Sequence, residues 1–390
     1  MITTLIAFAH LAWTSPSYVG MGIDVPIHQK TLAQKAKEAE QFDKDVQDDK
    51  KTGKEAADFY DRTMKPTKDT AAQQRVEEIG AKLALIANAN TFDLSWGDRR
   101  HAEFEYKFKV VDNKDVNAFS LPGGYIYVFQ GLIDFVQSDD ELAGVLAHEI
   151  CHASQRHVAW MRKEQAKMAP IQIPLILASI FSGHAEGAIT GELLGTAFTN
   201  GWSVKAETSA DYGGVQLVVA GGFDATGMLT FMERLQAKEG GLNSNLGILR
   251  THPPSKVRAD KIEDYMKKNL ITIRRSLVSS DFRVSNKVSD KGVNVLYFGK
   301  RKLFAIGGDN ERANSTLKTL NAFFDRVPEM YDVTTGEDGV IFAKNRLLIT
   351  LTPEDLKANS MDMEQLQNTA AKSLRSCIFS LAYHIWEGRN

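Results

Sequence analysis

A chain of 390 residues, 43% of them hydrophobic, is long enough for more than one packed core. Its formal net charge of -2 leaves no electrostatic footprint for nucleic acid, and two cysteines, Cys151 and Cys377, cannot build a disulfide framework. A nucleic-acid binder and a disulfide-stapled scaffold are therefore excluded.

Ile2 to Trp13 has the apolar length of a signal-peptide core, with small residues near its end, yet no basic residue precedes Lys30. A start codon assigned too late accounts for both, so residues 1–30 are read as a leader of an exported chain. Residues 31–64 are highly charged with apolar positions at helical spacing, as in one or two amphipathic helices that wrap the unit that follows. Thr67 to Ala87 reads as a further helix. Tyr106 to Val111 alternates as a strand, and Tyr125 to Phe129 is β-rich after the turn composition Pro122-Gly123-Gly124.

Ser138-Asp139-Asp140-Glu141 has the spacing of a capping box and opens a helix on which Leu142, Val145, Leu146, Glu149, Ile150 and His157 recur at helical intervals. Inside it stands His148-Glu149-Ile150-Cys151-His152, an HExxH pentapeptide. Imidazoles four residues apart on a helix lie one turn above each other, so both can reach a single zinc ion, with Glu149 placed as the general base toward water. Cys151 occupies a free position of the motif and points away from the two rings, a packing residue by helical geometry.

Two histidines leave a zinc site short of a protein ligand. The extended pattern HExxHxxGxxH does not apply, because Gln155 and Val158 stand at its Gly and third His positions, and His157 comes one residue early. The acids that follow are Glu164, Glu186, Glu192 and Glu207. Of these, Glu207 has a second acid one turn later, Asp211, which can hydrogen-bond a ligating imidazole and set its tautomer. The apolar run Val215 to Ala220, stopped by Gly221-Gly222, marks that helix as buried, and buried acids need partners. Glu207 is the expected third ligand, with one Zn2+ per chain.

Ile171 to Phe181, the most apolar later run, is too short to cross a membrane, and with its prolines and the glycines up to Gly201 it reads as a Gly/Ala-rich helical insertion. His252 precedes two prolines and so belongs to a loop. Lys256 to Asn269 is a charged helix that ends the domain, which spans residues 31–270. Beyond about Ser276, strands at 293–298, 303–306, 340–342 and 347–351 and helices at 312–327 and 363–384 make a separate α+β domain over 276–390, with N-cap chemistry at Thr352-Pro353-Glu354-Asp355.

Asn117-Ala118-Phe119, Leu121-Pro122-Gly123-Gly124, Gly131-Leu132, the HExxH, Glu207 to Asp211, and Thr251-His252-Pro253-Pro254 with Arg258 occur in an order that resembles the CAAX-prenyl-protease-type zinc metallopeptidases, in their soluble, exported bacterial branch. The likeness covers roughly residues 70 to 265. It implies an α+β gluzincin fold, a mainly helical zincin-type domain with a small β-sheet and an active-site helix. It also implies His148, His152 and Glu207 on zinc, Glu149 activating water, and an extended substrate held along Asn117, Ala118, Phe119, Pro122, Gly123 and Gly124. His252 and Arg258 then lie by the metal cleft, and two roles are open to His252: a hydrogen bond to the oxyanion, or a fourth ligand that keeps the enzyme latent. Polypeptide substrates of the cell envelope, unfolded or misassembled, follow from the same likeness, as does a periplasmic or envelope location with no transmembrane helix in the mature chain. The competing reading is a zinc-bound but latent client-binding protein. The tetratricopeptide repeats common in that branch are absent, and the C-terminal domain is expected to bind or position an envelope partner.

Overall fold

The structure is a computed structural model that describes residues 31–92, 95–166, 202–239, 252 and 255–382. The leader, the Gly/Ala-rich insertion, Glu186, Glu192, Thr251, Pro253 and Pro254 lie outside the described residues, as does the side chain of Glu164.

Two compact units divide the chain at Asp45 and Val46. The described part of the first, residues 31–45, is the mostly exposed opening of helix α1 (Leu32–Thr63). In the second unit α1 buries Val46, Asp49, Gly53, Ala57 and Tyr60, steps of three and four residues that keep one face inward. Charged residues fill most of the other positions. A Cβ on Gly53 would come within 1.6 Å of the Pro122 carbonyl oxygen, so the bare backbone is what lets α1 lie on the Pro122-Gly123-Gly124 turn.

Helix α2 (Thr70–Ala89) starts where the Asp69 side chain accepts the Ala72 N–H, and it buries Ala72, Val76, Ile79, Leu83 and Ala87. Three strands follow: β1 (Lys107–Val111), β2 (Ala118–Leu121) and β3 (Tyr125–Phe129), in the order β1-β3-β2. Strand β3 is central, parallel to β1 and antiparallel to β2, which leaves β2 at an edge. Short helix α3 (Gln130–Phe135) leads into α4 (Asp139–Ser154), which carries the HExxH.

Ser138 caps α4 by accepting the Glu141 N–H, but the Glu141 carboxylate departs from the capping-box expectation. It accepts the Gln137 N–H at 2.8 Å and pairs with Arg234 at 2.6 Å, fully buried. The expected single helical run through His157 also breaks. After Gln155 the backbone turns at Arg156, whose φ of 54° is left-handed, and His157 begins a new helix, α5 (His157–Ala166). Helices α6 (Trp202–Ala220), α7 (Thr226–Glu239) and α8 (Ser255–Lys268) complete the bundle around α4, and one core joins residues of α2, the sheet, α4 and α6 to α8.

A second core lies in residues 282–381. Two antiparallel three-stranded sheets, β4 (Val284–Val288), β5 (Asn294–Phe298) and β6 (Arg301–Ile306), then β7 (Val333–Thr335), β8 (Val340–Ala343) and β9 (Arg346–Thr350), accompany helices Asn310–Phe324, Pro353–Asn359 and Met363–Ala382. Strands β4 and β7 went unread because one has a polar middle and an exposed end, Lys287 and Val288, and the other is three residues long. Between the cores, Arg275 pairs with Glu233 and Glu263, and Arg234 with Asp281. Among the described residues no helix is long and apolar enough to cross a membrane.

In an exposed helix Gly→Ala gains up to about 1 kcal/mol of propensity. At Gly53 the clash with Pro122 outweighs that, because a carbonyl fixed in a turn cannot swing aside. Gly53→Ala is expected to lower the stability of the fold by about 1–3 kcal/mol, read as a lower urea midpoint at unchanged slope.

Candidate metal centre

Helix α4 presents His148 and His152 on one face, and α6 crosses it closely enough that a Cβ on Gly213 would sit 2.9 Å from the Cys151 sulfur. Cys151 is thus a buried packing residue of this crossing, and burial pushes its thiol pKa up. The crossing brings Glu207 to the two rings. Its carboxylate oxygens lie 3.3 Å from the Nε2 atoms of His148 and His152, which are themselves 3.0 Å apart. His252 enters from its loop with Nδ1 2.8 Å from Glu207 Oε2 and 3.4 Å from His148 Nε2.

Donor atoms from His148, His152, Glu207 and His252 all fall within 4.8 Å of one another. A tetrahedral zinc with bonds of about 2.0–2.1 Å has ligand atoms roughly 3.3 Å apart. The contacts of 2.8 to 3.4 Å fit that spacing, and the mix of imidazole and carboxylate suits zinc. These residues are able to bind one metal ion.

Asp211, one turn along α6 from Glu207, sits 3.0 Å from His148 Nδ1. Arg258 of α8 donates to both Asp211 oxygens at 2.9 and 2.7 Å and lies 3.1 Å from Glu207 Oε2. Burial alone would raise the pKa of Glu207, but His252, Arg258 and His152 hold it well below the usual carboxylate range. Asp211 is likewise lowered against burial by Arg258 and His148. Burial and Arg258 oppose protonation of His148, and the flanking Asp211 and Glu207 outweigh them to lift it to about 9. His152, by contrast, is lowered by burial.

Glu149 is buried one residue from the first ligand-type histidine, with Oε1 3.5 Å from His252 Nε2. The structure thus brings together His148, Glu149, His152, Glu207, Asp211, His252 and Arg258. The segment read as substrate-binding lies elsewhere in part. Phe119 packs among Tyr60, Tyr127 and Phe129, its ring stacked on Tyr127 at 5.1 Å. Pro122, Gly123 and Gly124 lie against α1 and residues 104–106. Asn117 and Ala118 are buried at the start of β2, where the Asn117 carbonyl accepts the Phe129 N–H.

Sequence reasoning missed His157. Its Nδ1 is 2.9 Å from His152 Nδ1 and its Nε2 3.3 Å from the Trp96 carbonyl. Counting it as a continuation of α4 had rotated it away; the left-handed turn at Arg156 swings it back.

Residues 71–266 match peptidase family M48. The chain belongs to that family. The family's metal is zinc, in keeping with the donor set. Residues 293–379 match a domain of unknown function, DUF8459. The mitochondrial metalloendopeptidase OMA1 of Schizosaccharomyces pombe is 33% identical over 182 residues, 47% of this chain and 50% of that protein. The beta-barrel assembly-enhancing proteases of Yersinia pestis and Escherichia coli K12 are 32% and 30% identical over 210 and 212 residues, in each case 50% of this chain and 40% of the relative. The chain thus spans half or less of the length of these relatives.

Arg258 is the common counter-charge of two buried carboxylates. Arg258→Met should therefore destabilise the metal-free protein by about 3–5 kcal/mol, measured by urea unfolding in the presence of a chelator. A loss below 1 kcal/mol would mean that the two acids are neutral in the fold.

Proposed function

We propose that the protein is a zinc-dependent metalloendopeptidase that hydrolyses peptide bonds in unfolded or misassembled proteins of the cell envelope. The observation that carries this reading is the convergence of His148, His152 and Glu207 on one point with Glu149 beside it. In this reading those three residues hold the metal and Asp211 orients His148. When bound, zinc supplies Lewis acidity toward a carbonyl oxygen and toward water. Glu149 takes the proton of the attacking water and passes it to the leaving amide nitrogen. Arg258 keeps Glu207 and Asp211 ionised while the site is dry.

His252 acts as a fourth donor in the resting state, since its Nδ1 stands among the other three donors and its Nε2 faces Glu149. A substrate must then displace the ring, so the chain is latent until a client enters. That same contact supports the second reading, a zinc-bound client-binding protein without turnover. An extended substrate pairs along the edge strand β2, whose side chains, Phe119 above all, anchor it to α1. The names of the bacterial relatives, which act in beta-barrel assembly, point the substrate toward envelope proteins and the chain toward the periplasm. Membership of the soluble exported branch, a domain boundary near residues 270–276, and an envelope partner for the C-terminal domain belong to the same proposal.

Glu149→Gln is expected to keep about one zinc per chain and to cut casein hydrolysis by about 10²–10⁴-fold. Unchanged hydrolysis would remove Glu149 as the base. Zinc binding with no hydrolysis in the unaltered chain would favour the client-binding reading. His252→Ala should raise basal hydrolysis if the ring is a resting ligand, and a fall would assign it to the oxyanion instead.

A further inference from the structure

We propose that His157 is a positioning residue that holds the His152 ring as its Nδ1–H tautomer, turning the Nε2 lone pair toward His148 and Glu207. The inference rests on the reading of His152 as a metal ligand. It follows from counting protons along a short chain of contacts. A backbone carbonyl can only accept, so His157 Nε2, 3.3 Å from the Trp96 oxygen, carries a hydrogen. The His157 ring is fully buried and faces another imidazole on its far side, so it is neutral, with a lone pair on Nδ1. His152 Nδ1, 2.9 Å from that lone pair, must supply the proton between them. The proton has then left Nε2, the atom 3.0 Å from His148 Nε2 and 3.3 Å from Glu207.

His148 has its own acceptor at Nδ1, the Asp211 carboxylate at 3.0 Å. Each HExxH imidazole therefore has an acceptor behind it, one an anion and the other a neutral ring.

The parts that hold His157 are built for close approach. Arg156 takes the left-handed turn that starts α5, and its guanidinium is fixed by Asp49 at 2.5 Å and Asp98 at 2.9 Å. The Trp96 carbonyl is held by Ser209, whose hydroxyl donates to it at 2.8 Å and accepts the Trp96 N–H at 3.1 Å. Asp98 N–H bonds the Gln155 carbonyl. Between Trp96 and Asp98, Gly97 has φ of 112°, and a Cβ there would lie 2.9 Å from the Gln155 oxygen and 3.0 Å from the His157 ring. No side chain fits that space. Ser209 lies midway between Glu207 and Asp211, so one turn of α6 sets a ligand-type carboxylate, the acceptor behind His148 and the carbonyl behind His157.

Two substitutions separate positioning from packing. Asn places an amide oxygen near the location of His157 Nδ1 and can accept from His152, whereas Gln reaches Trp96 but puts no acceptor at His152. On the full chain, zinc affinity is measured by chelator competition, and the Co2+-substituted protein gives a visible spectrum. His157→Gln is expected to weaken zinc by about 10–100-fold and to alter the cobalt bands, and His157→Asn to recover most of the affinity. Equal losses in both variants, or unchanged affinity in His157→Gln, would overturn the proposal. Nitrogen-15 shifts of the unaltered chain test it without substitution: a proton on His152 Nδ1 and on His157 Nε2 is expected, and the opposite tautomers would also overturn it. If instead the unaltered chain binds no zinc, or His152→Ala binds it undiminished, the metal reading itself fails.

Discussion

Glu207 and Asp211 set two carboxylates one helical turn apart in a dry interior, and the centre depends on both staying ionised there. Removing a carboxylate from water costs several kcal/mol even after relaxation, while one counter-charge at 4 Å returns about 4 kcal/mol at an effective dielectric constant of 20. A single partner is therefore barely enough. Each acid has more than one polar partner: Arg258 and His148 stand beside both Asp211 and Glu207, and His252 also meets Glu207. This requirement explains why α8 must pack where it does. Without Arg258 beside them, the acids would take up protons and lose the charge that attracts a cation.

The same constraint organises the helices. Close crossing of α4 and α6 at Cys151 and Gly213 delivers Glu207 to the histidines, and it also seats Ser209 against the loop at Trp96 to Asp98. Behind the donors, acceptors meet the far nitrogens of the HExxH rings, Asp211 for His148 and His157 for His152, and Glu149 faces that of His252 at 3.5 Å. A ring whose rear nitrogen is tied loses little orientational freedom when a cation arrives. Rigid placement of this kind is the property a metal centre needs from its surroundings.

Farther out, the buried pairs Glu141 with Arg234 and Arg275 with Glu233 tie α4 and α7 to the segment that leads into the second core. Ion pairs of this sort add little net stability over apolar packing, but breaking one leaves an uncompensated charge. They fix register between elements more than they strengthen them.

Much of the centre could be read from residue spacing. Helix geometry alone places His148 above His152, because residues four apart share a face, and the acid pair at Glu207 and Asp211 follows the same rule. The Ser138 cap and the apolar run after Asp211 marked both helices. Periodicity could not show that α4 stops at Ser154, since a single left-handed residue, Arg156, leaves no mark in the apolar pattern on either side. Nor could it show that Phe119 and the Pro122 turn also pack against α1, because strand and turn composition carry no mark of which distant helix they meet. The sequence by itself determined which chemical groups lie on one helical face, for that depends only on local backbone geometry. Tertiary structure alone decided which groups from distant segments stand behind them, His157 with Trp96 and Ser209 foremost, because such contacts are set by how helices cross and where the chain turns.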